Sequence, residues 1–321
     1  MPTLSTLPIP VSASKLSEGT RLSAFHLSGN VCLVGWLEGT RSFRAGLLDT
    51  STGALAHPTA VKGDLVGYLA DEEHLWVLTD HGLHQHDRDT MVVSGTLRTG
   101  MPKYPARMLR LGPHHALIVT KYGQSHPVID LRSLTIERRL RVAEPEVALL
   151  SDTGASLFSF RYGRLRTLGP DMTLSKQTEE IPLGIGAICD DDRVAFVSGA
   201  PEPPAAIITR AGLDTDRFAD IEPDGMVTWI STDGTISTAA ENVGIARLHG
   251  RSSNRDLIGS DGSVPGGFFS VSILRPDGAS IRHLVPMRSR SERLAILEDS
   301  RLLICPRIFG DLPAEFVLLE W

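Results

Sequence analysis

The segment VIDLRSLTI (128–136) runs from an apolar strand end through a polar turn and back to an apolar residue. The same outline recurs in LLDTSTGAL (47–55), QHDRDTMVV (85–93), TLGPDMTL (167–174), WISTDGTI (229–236) and ILRPDGASI (273–281). Asp, Ser and Thr in the turns can bond their own backbone, and Gly accepts positive φ without steric cost, so the chain reverses easily at each. Each segment is therefore expected to be a hairpin. Their closing apolar residues, Leu55, Val93, Ile136, Leu174, Ile236 and Ile281, are spaced by 38, 43, 38, 62 and 45 residues.

A second set of polar turns lies earlier in each unit, including LSGN (27–30), ADEE (70–73), GPHH (112–115), SDTG (151–154), DDD (190–192) and EDS (298–300). Short apolar stretches such as VCLVGW, HLWVLT, HALIVT and RLLIC follow them. A unit of about 40 residues with four short strands has the period of a β-propeller blade. Seven such units fit the chain. The seventh supplies only three strands and ends in AEFVLLEW, while the leading TLSTLPIPV belongs to no unit. Pairing that leading strand with the last blade closes the ring and leaves no raw edge. The expected fold is all-β: one domain over residues 1–321, a seven-bladed β-propeller of four-stranded antiparallel blades.

In this repeat outline, most closely over VIDLRSLTIERRLRVAEPEVALLSDTGASLFSF (128–160), the chain resembles bacterial seven-bladed propellers of the YVTN and WD40-like type. The Trp-Asp signature of WD40 blades is missing, as are the catalytic patterns of propeller lactonases. What the resemblance implies is shape, because one fold hosts many functions.

Composition narrows the function classes. A hydrophobic content of 41% with 22% charged residues allows a large core, and no 18-residue apolar run offers a membrane span. The opening MPTLSTLPIPVSASKL has neither a basic start nor an apolar block, so a secretory signal is not expected. Cys32, Cys189 and Cys305 are odd in number and far apart, unlike a disulfide framework or a zinc site; a reducing cytoplasm is the expected location. A net charge of −6 argues against general nucleic-acid binding, which needs surplus Lys and Arg to displace counterions.

With strands labelled a to d from the axis outward, the b-to-c turns and d-to-a connections emerge on one face, where propellers usually bind ligands. This places several tempting clusters. In TDHGLHQHDRDT (79–90), His84 and His86 fall on strand c of the second blade, alternate with Leu83 and Gln85, and share one face of the sheet. A zinc ion would need a further donor there, so they read as sheet residues and no metal is expected. Only His81 lies in the b-to-c turn. DEEH (71–74), HH (114–115) and DDD (190–192) sit in a-to-b turns on the opposite face, where they are expected to solvate a reversal.

What remains is TKYGQSH (120–126) and FRYGR (160–164), which occupy the same b-to-c position in the third and fourth blades. Lys121, Tyr122, Arg161 and Tyr162, with His126 and His81, form the candidate catalytic set: cations to bind an anion, and Tyr, Lys and His to move a proton. The plainer alternative is a pair of tight turns with solvated neighbours. Substrate contacts are expected from Arg41, Arg44, Lys103, Tyr104, Arg288, Arg307 and Asp311 on the same face. Glu38, Asp64, Asp80, Glu144, Glu146, Glu241 and Asp261 nearly balance these cations, so the patch is mixed.

The 62-residue interval holds APEPPAAIITRAGLDTDRFADIEPDG (200–225), an insertion after strand b of the fifth blade that reads as a lid, a docking arm offering Ile207, Ile208 and Phe218, or a plain surface loop. Two functions follow. One is a funnel site for a small polar, anionic molecule, with any catalysis being acid/base chemistry of the lyase, isomerase or hydrolase kind and no cofactor. The other is a noncatalytic scaffold that holds a protein partner on the same face or on the insertion.

Overall fold

The computed structural model describes residues 3–8, 22–38, 42–121, 123–152, 154–201, 221–231, 234–240, 245–264, 268–286, 294–298, 300–305 and 315–321. Seven four-stranded antiparallel sheets follow one another along the chain. Their innermost strands are Ser23–Ser28, Leu65–Ala70, Pro105–Arg110, Val147–Ser151, Gly184–Asp190, Arg247–Arg251 and Leu294–Leu297. In the seventh sheet Thr3–Pro8 is the outer strand, paired with Glu315–Glu320 from Thr3↔Glu320 to Pro8↔Glu315. The expected propeller is the fold, and the leading strand closes it.

The apolar pattern shows why the sheets stack as blades. In the second blade His74–Thr79 reads HLWVLT and is buried almost throughout, because each of its faces meets a neighbouring sheet. Leu75 and Val77 pack toward the first blade, Trp76 and Leu78 toward the third. Such a strand has no water-facing side and so no polar alternation. The core is correspondingly divided. One apolar cluster fills each of the seven spaces between adjacent blades, including that between the seventh and the first, where Leu48 and Phe316 are buried together and Leu7 packs against them.

The hairpin turns work as their composition requires. Asp87 Oδ1 accepts from Thr90 N–H at 2.8 Å and from Thr90 Oγ1 at 2.7 Å, and Asp49 Oδ1 accepts from Ser51 N–H at 2.8 Å. These bonds hold both carboxyls below the ordinary aspartate range. In SDTG, Gly154 sits at φ +139°, where a Cβ would lie 1.9 Å from the Leu168 carbonyl oxygen. No other residue fits there.

Two features differ from the sequence reading. In the fourth blade Leu174 makes only an isolated bridge to Leu168, and the outer strand is the two-residue Glu179–Glu180. The reason is Met172: it adopts φ 62° and is tucked into the core between the third and fourth blades, so the turn loops inward before the chain returns to the sheet edge. In the DDD turn, Asp190 is not solvated but 4% exposed, 3.3 Å from Arg193 Nη2 and in contact with Arg251 Nη1 of the sixth blade. Arg255 reaches Asp191 at 3.0 Å beside it. The acidic turn is an ionic clamp between blades. Other ties across blades are Arg301 Nη2 donating to Asn30 Oδ1 (2.6 Å) and Trp321 Nε1 donating to Asp256 Oδ2 (3.0 Å).

The long interval is an extended b-to-c hairpin. Arg193–Pro201 pairs with Ile221–Ser231 as far as Pro201↔Ile221, and residues 202–220 between them lie outside the described residues.

Candidate functional site

Five of the seven inner strands begin around one cavity of about 750 Å³. Asp64 to Val66 of the second blade, Pro105 to Arg107 of the third, Glu144 and Glu146 leading into the fourth, Ile185 to Ala187 of the fifth and Arg247 with Leu248 of the sixth form its wall. The b-to-c turns of the third and fourth blades complete it with Lys121, Arg161 and Tyr162. This is the mouth of the axial funnel.

Local sequence explains how those side chains are presented. FRYG folds as a 3-10 turn over Phe160–Tyr162 that ends on Gly163 in the left-handed region (φ 59°, ψ 40°). Phe160 is fully buried and stacks on Phe196 at 4.2 Å and on Phe158 at 5.7 Å between ring centroids. That anchor leaves the next two residues, Arg161 and Tyr162, at the cavity. In the third blade the Lys121 N–H donates to the Tyr104 carbonyl at 2.9 Å, tying the b-to-c turn to the connection that enters the blade.

Glu146 is central to the electrostatics. Its Oε1 accepts from the Arg161 backbone N–H at 3.2 Å, and its carbonyl accepts from Arg107 Nη1 at 3.3 Å. Arg107 Nη2 also lies 3.6 Å from Glu144 Oε1. Burial raises the Glu146 pKa above the usual glutamate range, against the opposing pull of the Arg107 and Arg161 charges. The wall thus carries four cations (Arg107, Lys121, Arg161, Arg247) against three carboxyl groups (Asp64, Glu144, Glu146), one of which holds its proton more firmly than usual. Such a set can bind an anion and offer it a proton.

The candidates expected from sequence separate into groups. Lys121, Arg161 and Tyr162 converge at the funnel. His126 does not line it: the ring is fully buried on Ser125–Asp130, its Nδ1 accepts from Thr120 N–H at 3.0 Å, and burial pushes its pKa down to about 4. His81 and Arg44 border a different cleft, between the first and second blades. There His81 Nδ1 is 2.8 Å from Asp80 Oδ1, and Arg44 Nε is 2.9 Å from Glu38 Oε2. Tyr104 is 59% exposed, with Lys103 Nζ over its ring at 5.3 Å. Tyr122, Arg41, Arg288, Arg307 and Asp311 lie outside the described residues.

Arg107 and Arg247 are the wall residues that sequence reasoning passed over. A signal was available: Ala106-Arg107 and Ala246-Arg247 open the inner strands of the third and sixth blades with the same dipeptide. Glu146 was read only as one of the acids on that face.

No protein-family model and no curated protein sequence matches the chain. Solved structures do resemble it. The Pan2 WD40 domain of Neurospora crassa is similar at a TM-score of 0.65 and 13% identity, over 99% of this chain and 95% of that one. Virginiamycin B lyase from Staphylococcus aureus is similar at 0.64 and 10% identity over 100% of both chains. Hydrazine synthase of Kuenenia stuttgartiensis is similar at 0.61 and 12% identity, over 93% and 96%. These neighbours include a lyase and a WD40 domain, and at such identities the likeness is one of fold: the chain is a seven-bladed propeller with fold-level similarity to WD40 and virginiamycin B lyase propellers.

Proposed function

We propose that the axial funnel binds a small organic anion and that Glu146 exchanges a proton with it. The observation that carries this reading is the position of Glu146: a partly buried carboxyl with a raised pKa, bonded to the backbone of Arg161 and flanked by Arg107. A carboxylate ligand entering between Arg161, Lys121 and Arg247 would accept from the cations and from the protonated Glu146. Tyr162 lines the same wall as a further hydroxyl. The chemistry that follows is acid/base chemistry such as elimination or isomerisation next to a carboxylate, with the substrate's negative charge fixed by the arginines.

Calorimetric titration with a panel of small dicarboxylates (succinate, malate, tartrate) tests the reading. Saturable binding that Arg161→Ala weakens about tenfold, the scale of one charge-assisted contact, is expected. Binding that is indifferent to Arg161→Ala and Glu146→Gln overturns it. Capture of a protein partner by this face, blocked by the same substitutions and with no anion bound, would favour a scaffold instead.

A further inference from the structure

We propose that the cleft between the first and second blades is a second ligand site, fitted to a small phosphate ester that also bears hydroxyl groups. This cleft is distinct from the funnel: it opens between the outer strands of two neighbouring sheets, shares no lining residue with the axial cavity, and encloses about 540 Å³. That volume suits a metabolite-sized molecule.

Its charge is one-sided where the funnel's is mixed. Arg44, Lys62 and Arg98 line it, together with three histidines and no carboxylate. Glu38 neutralises Arg44 at 2.9 Å. The exposed side chains of Lys62 and Arg98 have no ion-pair partner among the described residues, so two cations from separate blades face one concavity. Lys62 follows Leu55–Val61, the outer strand of the first blade, and Arg98 follows Val93–Leu97, that of the second. Two cations held by separate rigid sheets suit the separate oxygens of a phosphate.

The floor is unusual. His84 and His86 project from the same face of Gly82–Asp87 toward the first blade, are 5% and 0% exposed, and have ring centroids 6.4 Å apart. Their neighbour Leu83 turns the other way into the core with the third blade. His86 Nδ1 lies 3.0 Å from the Met91 carbonyl, so it must donate, which leaves Nε2 as a lone-pair acceptor. His84 Nδ1 is 3.3 Å from Thr96 Oγ1. The Nε2 atoms of both rings are buried and have no hydrogen-bond partner among the described residues. Burial pushes the His84 pKa down to about 4, with His86 and Arg98 adding to the effect, so the ring is neutral near pH 7.

Leucine or valine would fill these positions without stranding a polar atom, so the fold does not call for imidazoles here. A metal ion is a poor account, because no group of three His, Cys, Asp or Glu side chains able to hold one forms among the described residues, and the free charges are positive. The acceptor Nε2 of His86 and the His84 ring beside it, below two cations, suit a ligand with hydroxyl groups at one end and anionic oxygens at the other. A polyol phosphate has that shape.

The probe is ribose 5-phosphate, titrated calorimetrically into the full-length protein, with ribose and inorganic phosphate alongside. Saturable binding of the ester is expected, with ribose silent and phosphate weaker. Lys62→Ala and Arg98→Ala should each weaken the ester about tenfold, the scale of one charge-assisted contact, while Lys62→Arg retains it. His84→Leu should weaken the ester more than inorganic phosphate. Arg161→Ala, in the funnel, should leave this binding unchanged. Both alanine positions are exposed, so thermal melting should confirm intact variants. No saturable binding of the ester, or equal binding by the parent and a Lys62→Ala/Arg98→Ala double variant, would refute the site.

Discussion

Glu146 Oε1 accepts a hydrogen bond from the backbone N–H of Arg161 at 3.2 Å, so the carboxyl of one loop and the cation of another are set in register by a main-chain contact. The contact joins the connection entering the fourth blade to the b-to-c turn of the same blade. Because the donor is backbone, substituting the Arg161 side chain removes a charge from the funnel without releasing Glu146.

A pH signature follows for Glu146. Its folded-state pKa is raised, so between its unfolded and folded values the native state binds more protons than the unfolded chain, and its contribution to stability falls as pH rises through that window. Glu146→Gln keeps an oxygen for the Arg161 N–H and should be as stable as the parent or more stable at pH 7. The advantage should shrink toward the pH at which the parent is protonated in both states, about 4 and below. Urea melts of both proteins from pH 4 to 8 read this directly; a variant less stable than the parent at pH 7 and unchanged at pH 4 would contradict the assigned direction.

The second prediction concerns the ionic clamp. Asp190 is 4% exposed and faces Arg193 and Arg251, so Asp190→Ala leaves two partly buried guanidinium groups without their shared carboxylate. A loss of about 2–4 kcal/mol in chemical denaturation is expected. A loss within experimental error of zero would mean that the turn is solvated after all.

His126 gives the opposite pH slope to Glu146. Its pKa is pushed down to about 4 by burial, so stability is fully present above the unfolded value of about 6.5 and is lost as pH falls from there toward 4. The loss from this one group is at most about 3 kcal/mol. His126→Asn, which keeps an acceptor near the Nδ1 position for the Thr120 N–H, should flatten the acid limb of the stability profile by one proton. An unchanged limb would show that the ring is not held neutral.

Ring closure is open to a similar test. Removing residues 3–8 strips six ladder pairs from Glu315–Glu320 and takes Leu7 away from the core between the seventh and first blades. Scanning calorimetry should show the melting temperature falling by about 10 °C or more, a scale that matches the loss of several kcal/mol. A truncated protein that melts with the parent would mean that the ring holds without its outer strand.

The fold was legible because each hairpin carries its own turn chemistry and the second strand of most blades its own apolar run, so local signals repeat often enough to count. Closure by TLSTLP could be read for the same reason: one strand was missing at one end and one was spare at the other. The DDD turn misled because the partner of Asp190 is Arg251, about sixty residues on in the next blade, and nothing local announces it. The wall of the candidate site was half visible. Lys121, Arg161 and Tyr162 share a turn position that the repeat exposes, whereas Arg107 and Arg247 enter from inner strands whose polar first residues look like ordinary strand ends. His126 and His81 stand near the right turns in sequence, yet the pleat of Ser125–Asp130 buries the one ring and the turn at Asp80-His81 aims the other at the neighbouring cleft. A one-residue change along a strand reverses the face, so proximity in sequence does not decide what a side chain lines.

The most direct test of the funnel is calorimetric titration of the dicarboxylate panel into the parent, Arg161→Ala and Glu146→Gln at pH 5 and pH 8. The parent should gain more affinity from pH 8 to pH 5 than Glu146→Gln does, because burial favours the protonated form of Glu146, with Arg161→Ala weaker than the parent at both values. Equal affinities across the three proteins at both pH values would contradict an anion site built on these two residues.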